Sequence, residues 1–246
     1  ITITSADTGI SSSGTNPITQ IPNTSGATAS TVSASTLASS LSSGTSVIIK
    51  TTNANGTGNG DITVASNIAV TGTSDATLTL QAERDIVVNS NVSIARTGAN
   101  KLHVVLNSDL DGNGAGAIAM NTGSSINSNG GNITLGGGYT GTLGAGLYSA
   151  TANAPGISMA SNTIDAAGGN INIYGRNTAS YDDGVRINGS TITTSGTGAI
   201  GIYGDAYGGN NGSTVFGGIT FYETAAKIET DQGNITLGAY LTNTQS

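Results

Sequence analysis

Three oxygen-bearing side chains, Asn107, Asp109 and Asp111, occupy alternating positions in the segment NSDLDGNGAG, directly before Gly112. Calcium prefers oxygen ligands, and alternating Asp or Asn residues before a glycine open many calcium-binding loops. The Glu that such loops carry at the twelfth position is absent, because Ile118 stands there. The segment therefore predicts either a calcium site completed by other oxygen atoms or an ordinary Asp/Gly turn.

A second cluster lies in YDDGVRIN, where Asp182, Asp183 and Arg186 are neighbours at a predicted junction between a loop and a strand. Two carboxyl groups can supply the acid and the base that cleave a glycosidic bond. Adjacent acids at a turn are also common solvated residues, and no second acidic strand end aligns with them. The single His, His103, lies between two apolar residues and is expected to point outward from a strand. We therefore expect no enzymatic activity and keep a polysaccharide-active enzyme as a remote alternative.

The composition excludes several partners. The net charge is -7 with only 7 Lys plus Arg, so the chain lacks the basic surface that neutralises a nucleic-acid backbone. No apolar run approaches the length of a transmembrane helix. The chain contains no Cys, which removes disulfides and thiol chemistry. We expect no nucleic-acid partner, no transmembrane segment and no cofactor other than the calcium considered above.

The elements that must position these residues form a repeat. Pairs of apolar residues separated by one polar residue recur in groups of three, beginning with Ile62/Val64 and Ile68/Val70. This alternation predicts strands with one buried face, and the repeated triplet predicts stacked coils. We therefore predict an all-β chain, folded as a right-handed parallel β-helix (solenoid) with three strands per coil. A β-sandwich is the structural alternative.

The repeat also predicts which residues stack in inward-facing apolar columns. One predicted column contains Ile133, Ile171, Ile200 and Ile235. A second contains Ile62, Ile86, Ile118, Ile157, Val185 and Ile219. The related phrases GGNITLGG, GGNINIYG and QGNITLGA place an amide at one corner of three coils, where stacked amides can form a ladder. These corner residues are Asn132, Asn170 and Asn234.

The longest connections follow the third strand of each predicted coil, at 136–156, 174–184 and 203–218. Because coils stack, we expect these loops to emerge side by side at one corner. Loops on a rigid scaffold often carry binding sites, and Tyr is well suited to contact. The sequence predicts that the tyrosines of these loops hold a glycan or dock a protein partner; the alternative is that they pack the loops against the scaffold. The candidate ligand-binding residues at this edge are Tyr139, Tyr148, Tyr181, Asp182, Asp183, Asp205 and Tyr207.

The N-terminal part differs from the repeat. Residues 1–30 are rich in Ser, Thr, Gly and Asn and predict an irregular segment with one leading strand. That strand, ITI at 1–3, resembles the third strand of an earlier coil. Residues 31–246 predict a single β-helix domain, in which STLASSL at 35–41 suits a helical turn and SVIIKTT at 46–52 a strand.

The run STLASSLSSGTSVIIKTTNANGTGNGDITVASNIAV, with ATLTLQAERDIVVNSNVSI, VVLNSDLDGNGAGAIAM and INSNGGNITLGGG, resembles large bacterial exoproteins related to filamentous haemagglutinin. The resemblance covers residues 31–138 and is a general β-helix pattern afterwards. It implies a β-helix adhesin of the two-partner-secretion type, secreted or held at the bacterial cell surface, that contacts a host or neighbouring cell. The alternative is a self-assembling extracellular filament subunit, since low charge and matching ends would allow association end to end.

Overall fold

The computed structural model of the chain describes residues 1–22, 29–52, 58–140, 147–151, 154–178, 182–207, 217–222 and 225–242. The regular elements among these residues are strands, apart from a helix near the N-terminus. The elements before residue 60 are, in chain order, β1 (Thr2–Thr4), β2 (Ile10–Ser13), β3 (Ile18–Pro22), β4 (Thr31–Ser33), α1 (Ala34–Ser42) and β5 (Val47–Lys50).

The following strands are mostly short and carry alternating buried and partly exposed residues, as the sequence alternation predicts. In chain order they are β6 (Ile62–Val64), β7 (Ile68–Val70), β8 (Ala76–Gln81), β9 (Ile86–Val88), β10 (Ser93–Arg96), β11 (Leu102–Ser108), β12 (Ile118–Met120), β13 (Ser125–Asn127), β14 (Ile133–Gly137), β15 (Tyr139–Thr140), β16 (Leu147–Thr151), β17 (Ile157–Ala160), β18 (Thr163–Asp165), β19 (Ile171–Asn177), β20 (Val185–Asn188), β21 (Thr191–Thr193), β22 (Ile200–Tyr207), β23 (Ile219–Tyr222), β24 (Lys227–Glu229) and β25 (Ile235–Thr242).

From β6 to β14, and again from β17 to β25, any three consecutive strands belong to three different sheets. The first sheet has the order β23-β20-β17-β12-β9-β6-β1-β4, and the second has the order β24-β21-β18-β13-β10-β7. The third sheet pairs β5, β8, β11, β14, β19, β22 and β25 in parallel, with β3 and β2 at its N-terminal end. Strand β9 therefore pairs with β6 and β12 rather than with β8 or β10. Long parallel sheets of this kind are consistent with a parallel β-helix or solenoid.

The predicted columns are confirmed by the strand register. Ile171 pairs with Ile133 on one side and with Ile200 on the other, and Ile235 follows Ile200. The second column runs through the first sheet in the predicted order, from Ile62 to Ile219. Side chains of both columns are buried up to the last strands. The core therefore lies between the inner faces of the sheets.

Strands of the third sheet are longer than the sequence triplets predict. β19 continues to Asn177 and β22 to Tyr207, because the alternation of inward and outward residues continues beyond the second isoleucine of each strand. The predicted loops 136–156, 174–184 and 203–218 therefore begin inside β14, β19 and β22, and the first of them also contains β15 and β16, which corrects that prediction. Long connections still follow this sheet: 109–117 and 208–218 compare with 121–124 and 161–162 after strands of the first sheet.

The N-terminal segment contains three strands among its described residues, where the sequence suggested one. β1 pairs with β4 and β6 in the first sheet, so it does not occupy the place of a third strand. β2 and β3 form an antiparallel pair, and β3 joins β5 in parallel. The predicted helical turn is α1, in which Ser33 caps the N-terminus by accepting from the Thr36 N–H at 3.3 Å. α1 packs against β7 and so covers the end strand of the second sheet.

At the opposite end of the sheets, the apolar columns reach solvent. Leu237 is 48% exposed, although its neighbour in the column, Ile202, is buried. Phe221 is likewise 45% exposed beside buried Ile187. The strands β23, β24 and β25 therefore present a partly apolar edge.

Candidate functional site

Two tyrosines stack on the outer face of the third sheet. Tyr174 on β19 and Tyr203 on β22 are direct cross-strand partners. Their ring centroids lie 5.2 Å apart with an interplanar angle of 8°. They point away from the core, because the preceding residues Ile173 and Ile202 fill the inner columns.

Glycines leave room for this pair. A Cβ at Gly201 would lie 3.0 Å from Cε2 of Tyr203, and a Cβ at Gly238 would lie 2.7 Å from Cδ1. A side chain at Gly238 would therefore displace the ring, and one at Gly201 would crowd it. Burial raises the pKa of Tyr174, and Tyr203 acts in the same direction. The Tyr174 hydroxyl thus stays protonated at neutral pH.

A cavity of about 210 Å³ adjoins the tyrosine pair on the same outer face. Val105, Asn107, Thr134, Gly136 and Tyr174 line it. Among the described residues, Oδ1 of Asn107 is buried and accepts no hydrogen bond. We call this cavity the tyrosine slot, and the outer surface formed by Thr134, Asn172, Tyr174 and Tyr203 the tyrosine face.

Four predicted aromatic residues are only partly covered by the structure. The backbones of Tyr139 and Tyr148 face each other in the antiparallel pair of β15 and β16. Their side chains, the side chain of Tyr207 and the whole of Tyr181 lie outside the described residues. Their role in binding stays a prediction.

Asp182 and Asp183 converge on Arg186. The Nε of Arg186 donates to Oδ2 of Asp183 at 2.8 Å, and its Nη2 donates to Asp182. Asp183 is fully buried, and its Oδ1 accepts from the Thr220 hydroxyl at 2.6 Å and from the Gly217 N–H at 3.1 Å. Burial alone would lower the pKa of Arg186, but the two carboxylates outweigh it and raise that pKa. The cluster ties β20 to β23, and both carboxylates bind the same guanidinium.

Asp205 lies near this cluster but has its own partner. Its carboxylate forms a nearly buried ion pair with Nε of Arg176 at 3.0 Å, across β22 and β19. Gly184, which follows Asp183, packs directly on the backbone of Asp205, so that no Cβ fits there. The structure thus brings the predicted acidic residues to one edge, where each described carboxylate binds an arginine.

Two of the three predicted calcium ligands, Asn107 and Asp109, have different surroundings. Asn107 lines the tyrosine slot, whereas Asp109 follows β11 with a φ of 49°. Oδ1 of Asp109 accepts from the Gly114 and Ala115 N–H groups at 3.0 and 3.4 Å, and an oxygen of Asp111 accepts from the Asn113 amide at 2.7 Å. Within the described ranges, no three His, Cys, Asp or Glu side chains are grouped to hold a metal. Calcium binding stays a prediction that needs further oxygen ligands.

Burial sets the protonation of Asp109. It raises the pKa of this carboxyl from 3.8 to about 6, and the neighbouring charge of Asp111 acts in the same direction. The amide donors of the turn oppose this shift without cancelling it. At mildly acidic pH a larger fraction of this carboxyl group is therefore protonated than of an ordinary aspartate.

The corner side chains form a chain of hydrogen bonds to backbone N–H groups rather than the predicted ladder of three stacked amides, and Asn234 contributes its backbone carbonyl to the Ile200 N–H. Nδ1 of His103 accepts from the Asn132 N–H at 3.0 Å, Oδ1 of Asn132 accepts from the Asn170 N–H at 2.9 Å, and Oδ1 of Asn170 accepts from the Ala199 N–H at 2.9 Å. Each side chain binds the backbone of the next strand in the sheet. These residues therefore hold the corner together, and His103 takes part as an acceptor.

Sequence reasoning placed Tyr174 and Tyr203 in loops and so missed their stacking. The available signal was the phrase I-x-I-Y-G, which occurs at 171–175 and again at 200–204.

Comparison of the chain with protein-family models, with curated proteins and with solved structures gives no match. Among the residues that the structure describes, no helix combines the length and the apolar character needed to cross a bilayer.

Proposed function

We propose that the chain is a non-enzymatic segment of a secreted or surface-held bacterial adhesin, folded as a right-handed β-helix with three strands per coil. From β6 to β14, and again from β17 to β25, each strand pairs with the strand three places along the chain, which supports the three-strand coil. The right hand follows from the general preference of parallel crossover connections. The proposed location and adhesive role rest on the resemblance of residues 31–138 to haemagglutinin-related exoproteins.

The observation that carries the adhesive role is the tyrosine face. Tyr174 and Tyr203 stack on a sheet whose hydrogen bonds fix both rings at the spacing of neighbouring strands. Rigid aromatic side chains provide contact area with little loss of conformational entropy. Glycines beside Tyr203 leave room for its ring in this stacked position. An aromatic surface of this kind, on a rigid scaffold, suits repeated contact with a cell-surface glycan or protein.

The acidic cluster favours a structural role over catalysis. A carboxyl pair that hydrolyses glycosides needs one group available as an acid and the other facing the sugar. Here Asp183 is fully buried and bound to Arg186, Thr220 and Gly217. The cluster therefore stabilises the scaffold by joining β20 to β23.

The test is attachment of beads coated with the purified chain to cultured cells. The double variant Tyr174→Ser/Tyr203→Ser removes both rings and should lower attachment strongly, while its strands remain paired. Val87→Ser/Ala119→Ser also introduces two serines at paired positions, on the outer face of the first sheet, and should leave attachment unchanged. Equal attachment by the wild type and the folded tyrosine variant would overturn the proposal.

A second candidate function, self-association, is favoured by the exposed edge at the C-terminal end of the sheets. At the N-terminal end α1 covers the end strand of the second sheet, and β1 already pairs with β4 and β6, which argues against joining through residues 1–3. The exposed side chains of Phe221, Ile235 and Leu237 instead favour joining two copies through their C-terminal edges.

A further inference from the structure

We propose that the tyrosine slot binds one uncharged pyranose ring of a glycan, a proposal that rests on the adhesive function above and names its ligand. The slot occupies the outer face of three adjacent strands, β11, β14 and β19. Asn107 pairs with Gly136, and Gly136 follows Leu135, which pairs with Ile173 directly before Tyr174. Asn107 and Tyr174 therefore flank a position that has no side chain.

The spacing of the strands sets the size of the slot. Neighbouring strands lie about 4.8 Å apart, so Asn107 and Tyr174 are separated by about 10 Å across β14. A ring in contact with both needs about 3.5–4 Å on each side, which leaves room for a single ring. The cavity of about 210 Å³ is also smaller than the roughly 300 Å³ at which pockets for drug-sized ligands begin.

The walls of the slot differ in chemistry. Tyr203 stacks on Tyr174 from the β22 side, so the slot lies on the β14 side of the Tyr174 ring. Val105 adds an aliphatic surface to the floor. The C–H face of a pyranose packs well on an aromatic ring. The Tyr174 ring provides such a surface, because its stacking on Tyr203 fixes its position.

The opposite wall of the slot, formed by Asn107, presents a hydrogen-bond acceptor to a ligand. Oδ1 of Asn107 is buried without a donor among the described residues, and a buried acceptor of this kind is stabilised when a ligand donates to it. A carboxylate or phosphate has no proton to donate here, and a purely apolar ring would leave the acceptor unsatisfied. A pyranose provides a hydroxyl and an apolar face together. The chain's net charge of -7 disfavours acidic sugars and favours an uncharged one.

The experiment is a glycan array printed with uncharged and acidic glycans and probed with the whole chain. Binding hits are then titrated with the corresponding methyl pyranosides. Asn107→Leu keeps the size of the side chain and removes the acceptor, and Tyr174→Leu removes the ring. Gln81→Leu is the matched control, because Gln81 is the cross-strand neighbour of Asn107 on the side away from the slot.

We expect the wild type and Gln81→Leu to bind uncharged glycans alike, and both slot variants to weaken binding by about tenfold or more, as loss of a buried hydrogen bond or stacked ring does. Circular dichroism and melting temperature establish that the variants fold. Binding only to acidic glycans, undiminished binding by folded Asn107→Leu, or cell attachment without any glycan binding would overturn the slot proposal. The last result would leave the adhesive function intact and point to a protein target. Absence of cell attachment by the wild type would overturn the adhesive function itself.

Discussion

The hydroxyl of Thr220 donates a 2.6 Å hydrogen bond to Asp183, which joins β23 to the turn before β20. Because Asp183 also binds Arg186, its removal leaves a guanidinium that loses its closest buried partner. We expect Asp183→Ala to lower the free energy of unfolding by about 3 kcal/mol, as loss of one member of a buried ion pair does. Asp182→Ala should lower it less, since Asp182 is only partly buried. Urea unfolding measures both; an unchanged midpoint for Asp183→Ala would contradict the bracing role.

The inner columns predict a strong dependence on single apolar residues. Ile171 is fully buried between Ile133 and Ile200. We expect Ile171→Asp to lower the free energy of unfolding by about 4 kcal/mol or more, because it buries an unpaired charge. Asn172→Asp, on the outer face of the same strand, is the control and should change stability little. A melting temperature for Ile171→Asp equal to that of the wild type would show that the register is wrong.

Protonation of Asp109 predicts an unusual pH dependence. Its pKa in the folded chain, about 6, exceeds the ordinary value of 3.8, so the folded state binds the proton more tightly. The contribution of this group to stability is therefore complete below pH 3.8 and is lost as the pH rises through 6.

Asp109→Asn tests this pH dependence. It retains the acceptor for Gly114 and suits the positive φ, so melting between pH 4 and 7 should become flatter than in the wild type. Glu229→Gln removes an exposed carboxylate and should leave the curve unchanged. A curve for Asp109→Asn that parallels the wild type would contradict the shifted pKa.

Calcium binding by Asp109 and Asp111 predicts stabilisation by mass action. A free calcium concentration about 100 times the Kd should raise the free energy of unfolding by about 2.7 kcal/mol. The effect should be larger above pH 6, because protonation of Asp109 competes with the metal. Thermal melts with calcium, with magnesium and with a chelator measure it, and Asp109→Ala/Asp111→Ala should not respond. A wild-type melting temperature that ignores millimolar calcium would exclude the site.

The exposed C-terminal edge predicts a symmetric dimer. Antiparallel pairing of two copies of β24, centred on Ile228, would place Lys227 of one copy opposite Glu229 of the other and cover Ile235 and Leu237. Sedimentation over a concentration series should show a dimer that Ile235→Lys/Leu237→Lys converts to a monomer. Ile48→Lys places a single lysine on the outer face of β5 and should leave the dimer intact. A wild type that remains monomeric throughout would contradict this interface.

The sequence predicted the columns well because period-two alternation directly reports which face of a strand is buried. It could not predict that β1 joins the first sheet, since ITI carries the same alternation as a strand of any sheet. Tyr174 and Tyr203 were placed in loops because the prediction ended each strand at its second isoleucine. Asn107 and Asp109 separated for a related reason: the alternation reports the faces of β11, but Asp109 lies beyond its end, at a positive φ. Contacts between distant segments therefore determine the sheet that a strand joins and the residue at which it ends, which the local alternation does not report.

Most strands from β6 onward pair with strands at least three places away in the chain, and this pairing has a kinetic consequence. β9 can meet β6 only after the intervening β7 and β8 have turned aside, so each ladder contact requires closure of a long loop. Helix α1 and the β2–β3 pair, in contrast, form from near neighbours in the chain. We therefore expect folding to nucleate at this end and to advance strand by strand toward residue 242, each completed layer offering a template for the next. Growth of this kind would let the chain fold one layer at a time while its later residues are still unfolded, without first collapsing as a whole.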